Sequence, residues 1–272
     1  MNWESDEISK ALIPPKCRAA FSNFKKVSET NYYFVYEAIS LVGGQRYNIW
    51  LLNTKSSFFS QNRDRASTLF IQEVLYLSSK NPQSVVIEHC EVSVNKIAFV
   101  TKPTHNLSEK LIEESSSSID ICKMLKDLIT DLNFLYSHMK LHDLSIRKEK
   151  IRFLEGQNTF FISDWSQALS IQDTDEGNDL GVQNSETTAN DLYTLGLIAL
   201  ELKGIGAQVW NDLLETQEII PYNSLLDNII RRIEPDALQI LLRKLLQKDV
   251  NSPQKLRSLQ SQEGIWISNF KV

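Results

Sequence analysis

The sequence predicts an α+β chain in two parts, a small antiparallel sheet carrying one helix and then a larger, mainly helical part. Three observations lead there. Residues 32–40 and 46–53 are rich in aromatic and β-branched side chains and flank Val42-Gly43-Gly44-Gln45, the pattern of a hairpin. Residues 64–79 place Leu69, Ile71, Val74, Leu75 and Leu77 close to a helical period and stop at Asn81-Pro82. After Pro103 helical periodicity dominates, most clearly over 121–139, where Leu125, Leu128, Ile129, Leu132, Leu135 and Tyr136 share one side.

The remaining elements follow in order. Residues 1–20 read as an extension, kinked by Pro14-Pro15. Two further strands fall at 85–92 and 96–102, and a short helix at 107–114 leads into the serine run 115–118. A strand pair is expected at 151–154 and 159–163. Residues 170–188 hold five acidic residues and no basic one, so little order is expected there. An apolar helix over 191–202 then ends near Gly204 and Gly206, and helices follow at 207–216, 222–232, 235–248 and 253–261.

Composition bounds the function. With 42% hydrophobic and 23% charged residues in 272, the chain can bury a sizeable core. A net charge of -5 gives no global basic field for nucleic acid. Cys17, Cys90 and Cys122 are far apart, form no C-x-x-C pair, and suit a reducing compartment, cytoplasmic or otherwise intracellular. The acidic N-terminus does not read as a signal peptide. The longest apolar run, 192–202, is broken by Thr194, Gly196 and Glu201 and falls short of the roughly 20 apolar residues a bilayer crossing needs, so no membrane is expected.

Chemistry concentrates in two stretches, Leu141-His142-Asp143-Leu144 and Ser163-Asp164-Trp165-Ser166. Each presents an aspartate at the end of a short apolar element, a disposition that suits metal or phosphate chemistry. Together with their surroundings these residues resemble the protein kinase superfamily over about 21–268. Arg46-Tyr47-Asn48-Ile49-Trp50 is similar to V-A-I-K of the third kinase strand, and Glu73 to the glutamate of the inserted helix. Leu141-His142-Asp143-Leu144 resembles H-R-D-L, and Asp164-Trp165-Ser166 resembles D-F-G. The stretch from Asp191 to Gly196 resembles the helix supporting the catalytic loop, and residues 241–249 the L-L-x-x-L-L-x-x-D segment. The resemblance implies a bilobal protein-kinase-like fold with an N-lobe over 21–103 and a C-lobe over 104–272.

Departures from the family pattern remove named parts of the reaction. The phosphate-binding lysine position carries Trp50, the adenine-contacting alanine is Asn48, and residues 24–31 contain no glycine. Ser145 stands at the catalytic-loop lysine, and Lys148, five residues after Asp143, stands at the metal-binding asparagine. No A-P-E precedes Asp191, and the arginine that would pair with it near Ser252-Pro253 is missing too. Asp143, Asp164 and Glu73 are then vestigial, with Asp143 turning its loop and Asp164 bonding backbone. Leu141 and Trp165 keep the core apolar, His142 is a packed or surface residue, and Asp191 hydrogen-bonds the loop backbone.

What the resemblance implies is a pseudokinase that scaffolds other proteins, with no catalytic, cofactor or metal residues. Arg147, Lys148, Lys150 and Arg152 form a solvated basic loop suited to docking an acidic partner. Thr174, Ser185, Thr187 and Thr188 carry hydroxyls with no feature marking them for phosphorylation. The alternative is an atypical active kinase using ATP and magnesium, with Lys26 or Lys55 as substitute lysine.

Overall fold

A computed structural model of the chain describes residues 13–80, 90–93, 96–108, 119–142, 144–154, 159–170, 180–205 and 222–246. Asp143, Thr174, the helices predicted over 207–216 and 253–261 and most of the strand predicted at 85–92 lie outside the described residues. The architecture is mixed α and β. The chain divides into two compact units, one of Met1–His105, Arg152–Thr159 and Ser163–Ser166, the other of Asn106–Ile151, Phe160–Ile162 and Gln167–Val272.

The first unit is built on a five-stranded antiparallel sheet in the order β1-β2-β3-β5-β4, with β1 Phe21–Glu29, β2 Tyr33–Ser40, β3 Arg46–Leu52, β4 Cys90–Ser93 and β5 Lys96–Thr101. Gly43 and Gly44, with φ of 84° and 65°, take the left-handed conformations that the β2–β3 turn demands. Register sets the faces: Val35 and Phe99 lie opposite Trp50, and Thr101 opposite Asn48. Because side chains alternate, Tyr47, Ile49 and Leu51 point one way and Asn48, Trp50 and Leu52 the other.

The first of these faces is covered by the segment read as an extension. Pro14 is extended, Pro15 opens helix α1 (Pro15–Ala20), and Ile13 and Cys17 sit in one core with Phe34, Tyr36, Ile49 and Leu51. A sheet apolar on both faces needs a second cover, which the composition of 1–20 alone does not announce. Helix α2 (Ser57–Gln61) precedes α3 (Arg63–Lys80). The buried stripe of α3 runs through Ala66, Leu69, Phe70, Glu73, Val74 and Leu77, whereas Leu75 is 60% exposed. A glutamate thus occupies a core position of an otherwise apolar stripe.

In the second unit α4 (Ile121–Phe134) buries Ile121, Leu125, Leu128, Ile129 and Leu132 and is capped by Asp120, which accepts from the Lys123 N–H at 2.9 Å. Its last turn widens to a π-helix over Leu135–Met139 and is ended by Lys140 at φ 55°. Strand β7 (Leu141–His142) pairs antiparallel with β10 (Leu169–Ser170). Three further strands, β6 (Thr104–Asn106), β8 (Ile151–Leu154) and β9 (Thr159–Ile162), form a sheet in the order β6-β8-β9, with Thr104, His105, Arg152–Leu154 and Thr159 belonging to the first unit.

Helix α5 (Leu180–Leu202) begins eleven residues before the predicted start at 191, inside the stretch expected to lack order. Elongating a helix already nucleated at its apolar end costs little per residue, so the acidic composition does not mark its boundary. Helices α6 (Tyr222–Ile230) and α7 (Asp236–Leu245) are linked by Arg243 Nε donating to Asp227 Oδ1 at 2.7 Å. Among the described residues no helix is long and apolar enough to cross a membrane.

Candidate functional site

The second face of the five-stranded sheet carries the first group of predicted residues. Trp50 is fully buried. Its ring stacks on Phe99 at 5.4 Å and 8°, meets the edge of Tyr33 at 4.9 Å, and its Nε1–H donates to Thr101 Oγ1 at 2.9 Å. Asn48, one step along the same face, donates to the carbonyl and hydroxyl of Thr104 at 3.0 and 3.1 Å. Of the two residues predicted to replace nucleotide-contacting groups, Trp50 is therefore bound to its own sheet and Asn48 to Thr104 of β6.

Above the β1–β2 connection the backbone donors are also engaged. Thr30 Oγ1 accepts from the N–H groups of Tyr32 and Tyr33, both at 3.0 Å, and Asn53 Nδ2 donates to the Thr30 carbonyl. A hydroxyl-stapled turn of this kind consumes N–H groups that a glycine-rich loop would leave facing a phosphate.

Glu73 and Asp164 are brought together. The Asp164 N–H donates to Glu73 Oε1 at 3.0 Å, and both residues are buried. Asp164 adopts φ 60°, a left-handed conformation that aspartate tolerates better than most residues, and its Oδ1 accepts from the N–H and hydroxyl of Ser166. Trp165 is fully buried with its ring 5.7 Å from Tyr76. Nearby, Tyr33 Oη and Ser163 Oγ lie 3.3 Å apart. Burial pushes both Tyr32 and Tyr33 well above the usual phenol range; the charges of Glu73 and Asp164 add to this at both, and Arg152 opposes it at Tyr33.

Arg152 is the residue that sequence reasoning misplaced most. Predicted in a solvated docking loop, it is only 1% exposed, and its guanidinium carbon lies 4.6 Å from the centre of the Trp50 ring. The strand explains the error: Arg152 falls inside β8, whose residues Ile151, Arg152 and Leu154 are all buried, so the charge run is cut by a strand boundary. A cation over a desolvated indole gains about 2 kcal/mol, less than the several kcal/mol of removing an ion from water.

In the second unit the loop after Leu141 is held by Asp191 of α5. Its Oδ2 accepts from the Leu144 N–H at 3.0 Å and the Tyr136 hydroxyl at 2.7 Å. Lys150 corrects the docking expectation a second time: it is 1% exposed, and its ammonium donates to the Leu144 carbonyl at 2.7 Å and to Gln167 Oε1 at 3.3 Å. A short 3₁₀ turn, Lys148–Lys150, swings its second lysine inward just before β8. Arg147 stays exposed, and Lys148, partly exposed, donates to Glu201 at 2.6 Å. Leu141 is buried.

Two carboxylates of α4 align the strand that leads toward Asp164. Asp131 accepts from the Ile162 N–H at 3.0 Å and Asp127 from the Phe160 N–H at 3.1 Å. Four residues of helix rise about 6 Å and two of strand about 6.6 Å, so the two spacings match. Sequence periodicity hides this pair, because Asp131 lies within the buried face of α4.

Among the described residues no group of three or more His, Cys, Asp and Glu side chains is placed to hold a metal ion. No protein-family model and no curated protein matches the sequence.

Proposed function

We propose that this protein is a pseudokinase: a bilobal, kinase-like chain that does not transfer phosphate and acts as a protein-binding scaffold or structural subunit of a larger assembly. The observation that carries the reading is Trp50. At the position where phosphoryl transfer needs a lysine, the chain puts a fully buried indole stacked on Phe99 and covered by Arg152. Support also comes from the β1–β2 turn, whose N–H groups Thr30 takes up. The metal-binding asparagine has no counterpart either. Counting from Asp143 gives Lys148, counting back from β8 gives Lys150, and both are cations with acceptors of their own.

The rival reading, an active kinase with a substitute lysine, draws less support. Lys26 donates to Glu29 at 2.8 Å and Lys55 is exposed, so neither belongs to the buried group around Trp50. The test is incubation with radiolabelled ATP, magnesium or manganese, and generic protein substrates. Incorporation no greater than that of Asp143→Ala is expected; signal above it that vanishes in that variant overturns the proposal.

A further inference from the structure

We infer that the first unit contains a binding site for a small oxyanion, a phosphate or carboxylate group, gripped by the side edge of Arg152. Three observations converge on it. The guanidinium is 1% exposed, and its Nε and Nη2 have no hydrogen-bond partner among the described residues. Those two nitrogens share one edge of the planar group, the edge whose parallel N–H bonds match two oxygens of a single carboxylate or phosphate. The same group lies over the Trp50 ring, with the guanidinium carbon 4.6 Å from the ring centre. Contact with the ring holds the guanidinium in place while its Nε and Nη2 stay open, and such pre-organisation is what bidentate recognition uses.

The neighbouring carboxylates do not fill the role. Glu73 Oε1 accepts from the Asp164 N–H while its Oε2 makes no hydrogen bond, Asp164 Oδ1 accepts from Ser166, and among the described residues neither carboxylate forms an ion pair with Arg152. Trp50 Nε1 donates to Thr101 and Tyr33 Oη is bonded to Ser163 Oγ, while Tyr32 Oη is buried with no hydrogen-bond partner among the described residues. A buried guanidinium with an open edge is costly, and an anion offering two oxygens satisfies both donors at once. This inference concerns the first unit alone and holds whether or not the protein transfers phosphate.

The test uses the full chain at constant ionic strength, titrated separately with inorganic phosphate, acetate and chloride. Thermal unfolding should shift upward and saturate with phosphate or acetate, following RT ln(1 + [L]/Kd), and not with chloride. Whichever of the two gives the tighter response identifies the group. Arg152→Lys, which keeps the charge and loses the fork, should weaken the response at least tenfold, and Arg152→Met should abolish it. An independent readout is the arginine Nε–H resonance that disappears in Arg152→Lys, which should move on titration. The inference fails if neither oxyanion gives a saturable shift, or if Arg152→Met responds as the unsubstituted chain does.

Discussion

Buried charge is treated differently in the two units. In the second, Asp191 has the Leu144 N–H and the Tyr136 hydroxyl, Lys150 has a carbonyl and an amide oxygen, and Asp131 has a strand N–H. Each charge is tied to backbone and holds a loop or strand in place. In the first unit Arg152 is as deeply buried, yet two of its nitrogens have no partner and its main contact is the face of Trp50. The lesson is one of role: satisfied buried charges mark architecture, and an unsatisfied one marks where a partner is owed.

Substitutions sharpen this contrast, and Trp50→Lys should have the largest effect. It deletes the Phe99 stack, the Tyr33 edge and the Thr101 bond, and sets a second cation beside Arg152. A loss of about 4 kcal/mol is expected in urea denaturation, with no kinase activity gained. Asp191→Ala should follow at about 3 kcal/mol, since two donors lose a charged acceptor, while Asp191→Asn, which keeps an acceptor oxygen, should cost about 1 kcal/mol. Equal losses for Ala and Asn would show that the carboxylate is not what holds the loop.

Gly196→Ala comes next. An added Cβ meets the Leu246 side chain at 2.7 and 2.9 Å and Leu245 Cβ at 3.1 Å, so α5 and α7 must move apart, at a cost of about 2 kcal/mol by thermal or urea unfolding. Arg152→Met belongs at the other end of the scale. Replacing an unsatisfied buried cation by a flexible apolar side chain should leave stability unchanged or raise it by about 1 kcal/mol. A loss comparable to that of Asp191→Ala would erase the distinction between the units.

The smallest effect is a pH dependence. Burial pushes the Cys122 thiol from 9.0 up to about 11, with Asp120 adding and Lys203 opposing. The folded chain therefore holds this proton more tightly than the unfolded chain. The stability it contributes is whole below about pH 9 and is lost as pH climbs toward 11. Cys122→Ala should flatten the stability profile across that window.

Much of the fold was legible. The hairpin around Gly43-Gly44 and helices α3 and α4 follow from period and punctuation, because those signals are local. Boundaries set by packing were not. Cys17 and Ile13 belong to the sheet core although nothing in 1–20 alternates like a buried strand or repeats like a long helix. Among site residues, the backbone bonds of Asp191 and Asp164 were expected and are found, whereas the partners of Trp50 and Glu73 were not readable. Arg152 and Lys150 were hidden by their charge, since a basic run reads as solvated until a strand boundary shows which members turn inward. Only the dipeptide Ile151-Arg152, apolar beside basic at the head of a strand, offered a hint.

Binding of ATP with magnesium by isothermal titration calorimetry bears most directly on the aromatic and arginine filling at position 50. No saturable heat is expected at millimolar nucleotide, and Trp50→Ala should be as silent as the unsubstituted chain. Stoichiometric, saturable binding that requires magnesium and is lost in Asp164→Ala would show a working nucleotide site and contradict the reading of position 50 as filled.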